Sequence, residues 1–417
     1  MTPIFPSKNH ATTPFVGGYR MDKSNFSNVK LSEEFFHISF TPTNWLTDPW
    51  KCIEATERWT RPDSAVLETF DTEKFKENYS RKAAVLSDVR SSFSGNTVDD
   101  IIMIMEHERF LKGPKGNLLH DGVTNRAKIE TAISNGVPIE IVIPSFAGRP
   151  HNPAAHKRVA PDLGEMYALL HLLDISDTVR EVYPPGLLFT LILDGTIYRP
   201  FYGYAHNEAV PYEENLNRQI SALEAENSLR TIDMWPIYQE RKDEVAAIEA
   251  EVREHVSSQW NDHDLPSRQD LIAALRQGVE TTPITVALIE MYKSGSYKNV
   301  DLDSFFIRAE KALLKRAEHA AFEYTVLLTI MRRLDLVMTA FPDAIRGTVH
   351  PKPDQYSPIM RDAKTVISPW HGTAIVRLDG SIVTEYEAIV FQEPERYKAW
   401  FVRGDEAPFY YEEIKLP

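Results

Sequence analysis

The chain predicts an α/β protein with a Rossmann-like, largely parallel central sheet flanked by helices, plus a smaller C-terminal α+β part. Two patterns carry that expectation. The first is the order strand, loop, helix, strand between Ile139 and Leu193, for which parallel pairing through a right-handed crossover is the default arrangement. The second is a long helical stretch followed by short apolar runs between turn residues toward the C-terminus.

Taken in order, residues 1–75 form an N-terminal arm or extension, whose first 30 or so positions are rich in Pro, Ser, Thr, Asn and Gly and lack periodicity. Residues 76–300 form the Rossmann-like domain. Helical patterns at Asp99 to Phe110 and Thr124 to Ser134 precede a strand marked by Ile139, Ile141, Val142, Ile143 and Phe146, with Pro144 near its end. Gly148, Pro150 and Pro153 make the next segment a loop, and Pro161 opens a helix with Asp162 and Glu165 in its first turn and Met166, Leu169, Leu170 and Leu173 on its apolar face. Leu187 to Leu193 is a second strand, Asp194-Gly195 a turn, and Thr196 to Tyr204 a third short strand. Residues 213–260 read as two charged helices divided by Pro236, an excursion over the main body.

Residues 301–417 hold a helix and a strand-rich part. Leu313, Ala317, Ala320, Tyr324, Leu327, Met331 and Leu334 recur at alternating steps of four and three, one side of a long core helix. Ile345 to His350, Gly372 to Leu378 and Ile382 to Ala388 follow as strands, with Asp379-Gly380 as a hairpin turn. No internal repeat is present.

Composition narrows the function classes. With 46 basic and 60 acidic residues, the formal charge of −14 argues against general affinity for nucleic acid or an anionic membrane. An anionic ligand therefore needs a local basic pocket. The single cysteine, Cys52, leaves no intramolecular disulfide and no cysteine-rich metal site, and fits a reducing cytoplasm. No signal peptide or membrane span is read. Walker, GxGxxG, GxSxG and HExxH signatures are absent, and no metal site is demanded.

The most informative stretch is the basic loop and its helix. Arg149, His151, Asn152, His156, Lys157 and Arg158 gather donors between the first strand and the helix N-terminus, and open α/β sheets bind ligands outside the carboxyl ends of their strands. Capping accounts for Asp162 and Glu165 equally well, a turn accounts for Asp194-Gly195, and a solvated loop accounts for the cations. Elsewhere Arg346, His350 and Lys352 leave a strand as a basic cluster, while Pro369-Trp370-His371-Gly372 sets up a sharp bend from which Trp370 and His371 project or in which Trp370 anchors the core.

Together, Ile143–Pro153 (IPSFAGRPHNP), Pro161–Glu165 (PDLGE), Leu191–Gly195 (LILDG), Ile345–Pro351 (IRGTVHP) and Ser368–Gly372 (SPWHG) resemble the isocyanide (isonitrile) synthase family, in the family's order, over roughly Ala83 to Val402. The resemblance implies that the amine of an aromatic amino acid, tyrosine or tryptophan, joins the C2 carbonyl carbon of ribulose 5-phosphate, which becomes the isonitrile carbon. No metal or organic cofactor is implied; ribulose 5-phosphate is a co-substrate. A pathway oxygenase and a second copy of the chain are the protein partners to expect. One departure stands out: the family commonly has an aromatic-Lys-small-Pro-Asn run after the strand, whereas here Phe146 is followed by Ala147, Gly148, Arg149, Pro150, His151 and Asn152.

That chemistry needs a general acid and base, for which Glu165, Asp194 and His371 are the candidates. Arg149, Asn152, Lys157 and Arg158 with the Asp162 helix start would cradle the sugar phosphate, completed by Arg346 or His350. Trp370 and Tyr198 would wall the apolar slot. The expectation is that these groups share one solvent-reachable hollow. Two other readings stay open: N-formylation or another amine–carbonyl condensation on the same fold, and a non-catalytic protein binding a sugar phosphate or amino acid.

Overall fold

The computed structural model describes residues 65–112, 122–149, 158–202, 210–260, 302–349, 355–362, 367–405 and 407–415, together with Ile272, Ser294 and Gly295. The chain runs β1 (Ala65–Leu67), α1 (Thr72–Tyr79), α2 (Lys82–Val89), α3 (Thr97–Met105), α4 (Gly122–Asn135), β2 (Ile139–Ser145), α5 (Leu163–Val179), β3 (Leu187–Leu193), α6 (Gly195–Tyr202) and α7 (Val210–Ala222). It continues through β4 (Leu229–Asp233), α8 (Met234–Glu240), α9 (Lys242–Trp260), α10 (Leu302–Arg333), α11 (Leu336–Ala340), β5 (Ile345–Arg346), β6 (Thr373–Val376), β7 (Ile382–Glu385), α12 (Glu387–Gln392), β8 (Tyr397–Val402) and β9 (Tyr410–Glu413).

Two sheets organise the molecule. The first, in the order β4-β3-β2-β5, is parallel throughout. The second, β1-β8-β9-β6-β7, mixes parallel and antiparallel pairs. Every residue of α5 except Asp177 is buried, because this helix packs against β3 and β4 of one sheet and β6 and β7 of the other. A helix apolar on all sides is stable only in such a position. On that face Ile139, Ile141, Ile143, Leu187, Phe189 and Leu191 join α5 in the main core, while Val142 and Ile192 point the opposite way into a second core with α6, α8, α10 and α11. The alternation is the two-residue period of the strand.

The parallel sheet reverses direction beside β2: the chain steps outward through β3 and β4, then returns to place β5 on the other side. Only Ile141 and Val142 pair with β5, so the two strands separate before Pro144, whose missing N–H is harmless there. A crevice at the carboxyl ends of β2 and β5 is the topological switch point at which such sheets take ligands.

Three expectations are corrected. The strand expected over Thr196 to Tyr204 is a helix as far as it is described, since Gly195–Tyr202 is helical and the Asp194 carbonyl accepts from both Ile197 N and Tyr198 N. Ile197 and Tyr198, with Phe201 four residues beyond the former, supply an apolar face that suits α6, a pattern too short to separate the two periods. Residues 213–260 are not two helices split at Pro236: β4 lies among them, and Pro236 sits in the first turn of α8, where its N–H is not needed. The β4 sequence, LRTID, has only two apolar residues because it is an edge strand. Finally, Ala388 belongs to α12 and the strand before it stops at Glu385. Residues Ala65–Leu67, assigned from sequence to the N-terminal arm, pair with Trp400–Val402 of the C-terminal sheet.

Candidate active site

The loop leaving β2 is held in an unusual shape. Phe146 has φ 54° and Gly148 φ 85°; a bulky residue in the left-handed region costs on the order of 1 kcal/mol and persists where packing enforces it. Here the fully buried Phe146 ring lies 4.8 Å from the Trp370 ring. On the next residue, the Ala147 carbonyl oxygen approaches Gly195 so closely that a Cβ there would stand 1.8 Å from it. Gly195 is thus required by close approach of two backbones, with the hairpin turn of the sequence reading replaced by a helix start.

Arg149, 1% exposed, engages its Nε and Nη2 within the protein, while Nη1 is buried without a hydrogen-bond partner. Its Nε and Nη2 donate to the two Glu165 carboxylate oxygens at 2.6 Å each, Nη2 lies 2.7 Å from Asp162 Oδ1, and Nη2 also donates to the Pro369 carbonyl at 3.1 Å. Asp162 caps α5 by accepting from Gly164 N, and Glu165 accepts in return from Asp162 N, a capping box. Asp162 Oδ2 further accepts from Ala374 N at 3.0 Å, and Tyr212 donates to Glu165 at 3.1 Å. Burial opposes the Arg149 charge, but Asp162 and Glu165 outweigh it and raise its pKa. Burial raises the Glu165 pKa, Arg149 opposing and Asp162 adding to the effect. The network ties the β2 loop, the start of α5 and the start of β6 into one strut.

A second polar cluster lies on the opposite face of the sheet, around Asp194 at the end of β3 and Arg346 in β5. Asp194 Oδ1 and Arg346 Nη1 are both buried with no hydrogen-bond partner, which buried polar atoms rarely tolerate. Burial raises the Asp194 carboxyl to about 7, with Arg346 opposing. Burial lowers the Arg346 pKa, against the attraction of Asp335, Tyr198 and Asp194. The rings of Tyr198 and Tyr324 stand beside them, 4.8 Å apart, and the charge of Asp194 adds to burial in raising the Tyr324 pKa.

The single hollow expected from sequence is therefore divided. Glu165, Arg149, Asp162 and Trp370 belong to the closed strut, with half-buried His371 at its edge, 6.0 Å ring to ring from Trp370. Trp370 is 4% exposed, and the carbonyl of Pro369 in its turn accepts from Arg149 of the β2 loop. Asp194, Arg346 and Tyr198 gather across the sheet. Arg158 pairs with Asp405 and donates to the Pro161 and Ala407 carbonyls, tethering the β8–β9 connection rather than facing the sheet edge. Asn152, Lys157 and His350 lie outside the described residues.

Sequence reasoning missed three residues. Tyr212 was hidden in a charged stretch, and Tyr324 was read only as core periodicity. Lys112 donates to the Val349 carbonyl at 3.1 Å, just beyond β5; burial, aided by Arg361, lowers its pKa to about 8, and no carboxylate among the described residues lies within ion-pairing distance of it. Nothing in its sequence surroundings marked it. A cavity of about 590 Å³ lined by Lys76, Asp177, Arg180 and Glu224 lies at the amino edge of the sheet, beside Pro138; its Arg180 is already paired with Asp177 and Ser228. Among the described residues no cluster of three metal-ligating side chains forms, and no helix is long and apolar enough to cross a membrane.

Comparison with known proteins agrees with this architecture. Residues 129–396 match the family described as pyoverdine/dityrosine biosynthesis protein. The chain is 25% identical over 266 residues to the L-tyrosine isonitrile synthase of Pseudomonas aeruginosa, covering 60% of this chain and 73% of that protein. It is 26% identical over 99 residues to the L-tryptophan isonitrile synthase AmbI1 of Fischerella ambigua, covering 24% of this chain and 31% of that protein. The crystal structure of the PvcA protein from Pseudomonas aeruginosa superposes with a TM-score of 0.56 at 18% identity, over 76% of this chain and all of that one. At that identity the likeness concerns the fold.

Proposed function

The chain belongs to the pyoverdine/dityrosine biosynthesis protein family, and from that premise we propose that it is an isonitrile synthase acting on the amine of an aromatic amino acid, with ribulose 5-phosphate as carbon donor. The observation that carries the reading to particular residues is the free carboxylate oxygen of Asp194 at the carboxyl edge of the sheet, on a group poised near neutral pH. An amine attacks a ketone only when unprotonated, and the resulting carbinolamine oxygen then needs a proton. A carboxyl group titrating near 7 serves both steps. Glu165, sealed by Arg149, Tyr212 and the Asp162 amide, is a positioning residue rather than a proton carrier. The phosphate is placed toward Lys112, on the same strand exit as Arg346.

Heavy-carbon label at C2 of ribulose 5-phosphate tests the proposal: incubation with L-tyrosine or L-tryptophan is expected to give a product whose isonitrile carbon carries the label. Product without label overturns the carbon donor, and no new product with any amino acid overturns the activity. Formation of the N-formyl compound instead identifies the second reading, which the absence of the family lysine after Phe146 motivates.

A further inference from the structure

We infer that Asp194 and Arg346 form a two-point clamp for the zwitterionic head of an α-amino acid, Asp194 taking the ammonium and Arg346 the carboxylate, with Tyr198 and Tyr324 against the side chain. The inference rests on the proposed function and specifies how its substrate is recognised.

The geometry has four parts. Both charged groups carry one buried atom without a partner. They are close enough to influence each other, yet no ion pair within 4.0 Å joins them, so neither charge is met by the other. A water molecule or a small polar ligand satisfies such unmet atoms, and a ligand bearing a cation and an anion on either side of one carbon satisfies both without leaving a charge unpaired. Thirdly, Asp194 follows β3 and Arg346 lies in β5, the two strands that flank β2 at the sheet's switch point. Fourthly, the paired rings of Tyr198 and Tyr324 offer apolar faces beside the charged groups, suiting an aromatic side chain.

The clamp also organises the first chemical step. An N–H bond of the bound ammonium breaks and its proton passes to Asp194 Oδ1, leaving a neutral amine. The amine lone pair forms the N–C bond to the ketone carbon, and the carbonyl π electrons move to oxygen. That oxygen takes the proton back from Asp194. The carbinolamine nitrogen keeps the positive charge, Asp194 is again ionised, and the step needs no other reactant.

The test compares L-tyrosine and L-tryptophan with tyramine and tryptamine, which lack the carboxylate, in the full-length wild-type protein and in Arg346→Gln and Arg346→Lys. With ribulose 5-phosphate present, the wild type is expected to prefer the amino acids by about 100-fold or more in kcat/KM, as a buried charged donor left unpaired dictates. Arg346→Gln narrows that preference to within about 10-fold, mainly through KM, and Arg346→Lys falls between the two. Calorimetric titration of the wild type with L-tyrosine and with tyramine, without sugar phosphate, reads the clamp independently of turnover. Equal handling of amine and amino acid by the wild type, or an undiminished preference in Arg346→Gln, overturns the clamp. Absence of product together with tighter binding of L-tyrosine than tyramine overturns the proposed activity and keeps the clamp.

Discussion

At the scale of single residues, two acids only 29 positions apart in the chain show how environment divides labour. Glu165 and Asp194 are both buried acids with raised pKa values, but Glu165 accepts from Arg149, Tyr212 and a backbone amide while Asp194 keeps an oxygen free. Glu165→Gln breaks a buried, bidentate ion pair and is expected to cost about 3–5 kcal/mol of stability, read as a lowered midpoint in urea unfolding. A midpoint unchanged from the wild type would show that the strut contributes nothing. Asp194 has a different signature. Its folded pKa, about 7, lies above the ordinary value of 3.8, so the folded state holds a proton that the unfolded state has released. Its contribution to stability is therefore full below about pH 4 and lost as pH rises to about 7, with a slope no steeper than about 1.4 kcal/mol per pH unit. Unfolding of wild type and Asp194→Asn across that window is expected to show this slope in the wild type and a shallower one in the variant.

At the scale of elements, the carboxyl edge depends on backbones that touch. Gly195, the first residue of α6, meets the Ala147 carbonyl, so Gly195→Ala must push the β2 loop or the helix aside. The expected cost is about 3 kcal/mol, with turnover impaired beyond what lost stability explains because Asp194 is the adjacent residue; thermal melts and kcat on the folded fraction separate the two effects. The Asp379-Gly380 turn is a simpler case. Gly380 has φ 80° with open space around it, so Gly380→Ala is expected to cost about 1 kcal/mol and to leave kcat unchanged. Elements with strong local signals were legible in the sequence: β2, β3 and α5 because their apolar patterns are long, and the β6–β7 turn because its chemistry is local. Edge strands β4 and β1 and the interior strand β9 were not, since each is short and its identity comes from a distant partner.

For the whole molecule, the sequence indicated which residues lie at the carboxyl edge better than it indicated which of them meet. Arg149, Glu165, Asp194 and Arg346 all lie there, but spacing along a chain does not reveal on which face of a strand a side chain emerges. A shift of one position moves a strand group across the sheet; Asp194 and Arg346 gather with Tyr198 on one face, whereas Arg149 and Glu165 sit on a loop and a helix start of the other. The net negative charge of the chain gave the further expectation of a local basic pocket, yet Arg149 and Arg158 are neutralised by acids within the fold. Tyr324 could not be picked out because a residue beside a polar cluster and one facing a core share the same helical period, and Lys112, in a bend after Leu111, carries no periodic signal at all.

The pairing of Ala65 with Trp400 has a consequence for biogenesis. β1 leaves the ribosome long before its partner β8, with the whole parallel layer made between them, so the nascent strand must wait unpaired while that layer assembles. Chains halted before Tyr397 are expected to retain that layer and to accumulate as chaperone-bound or insoluble material, an outcome that fractionation of stalled translation products would reveal.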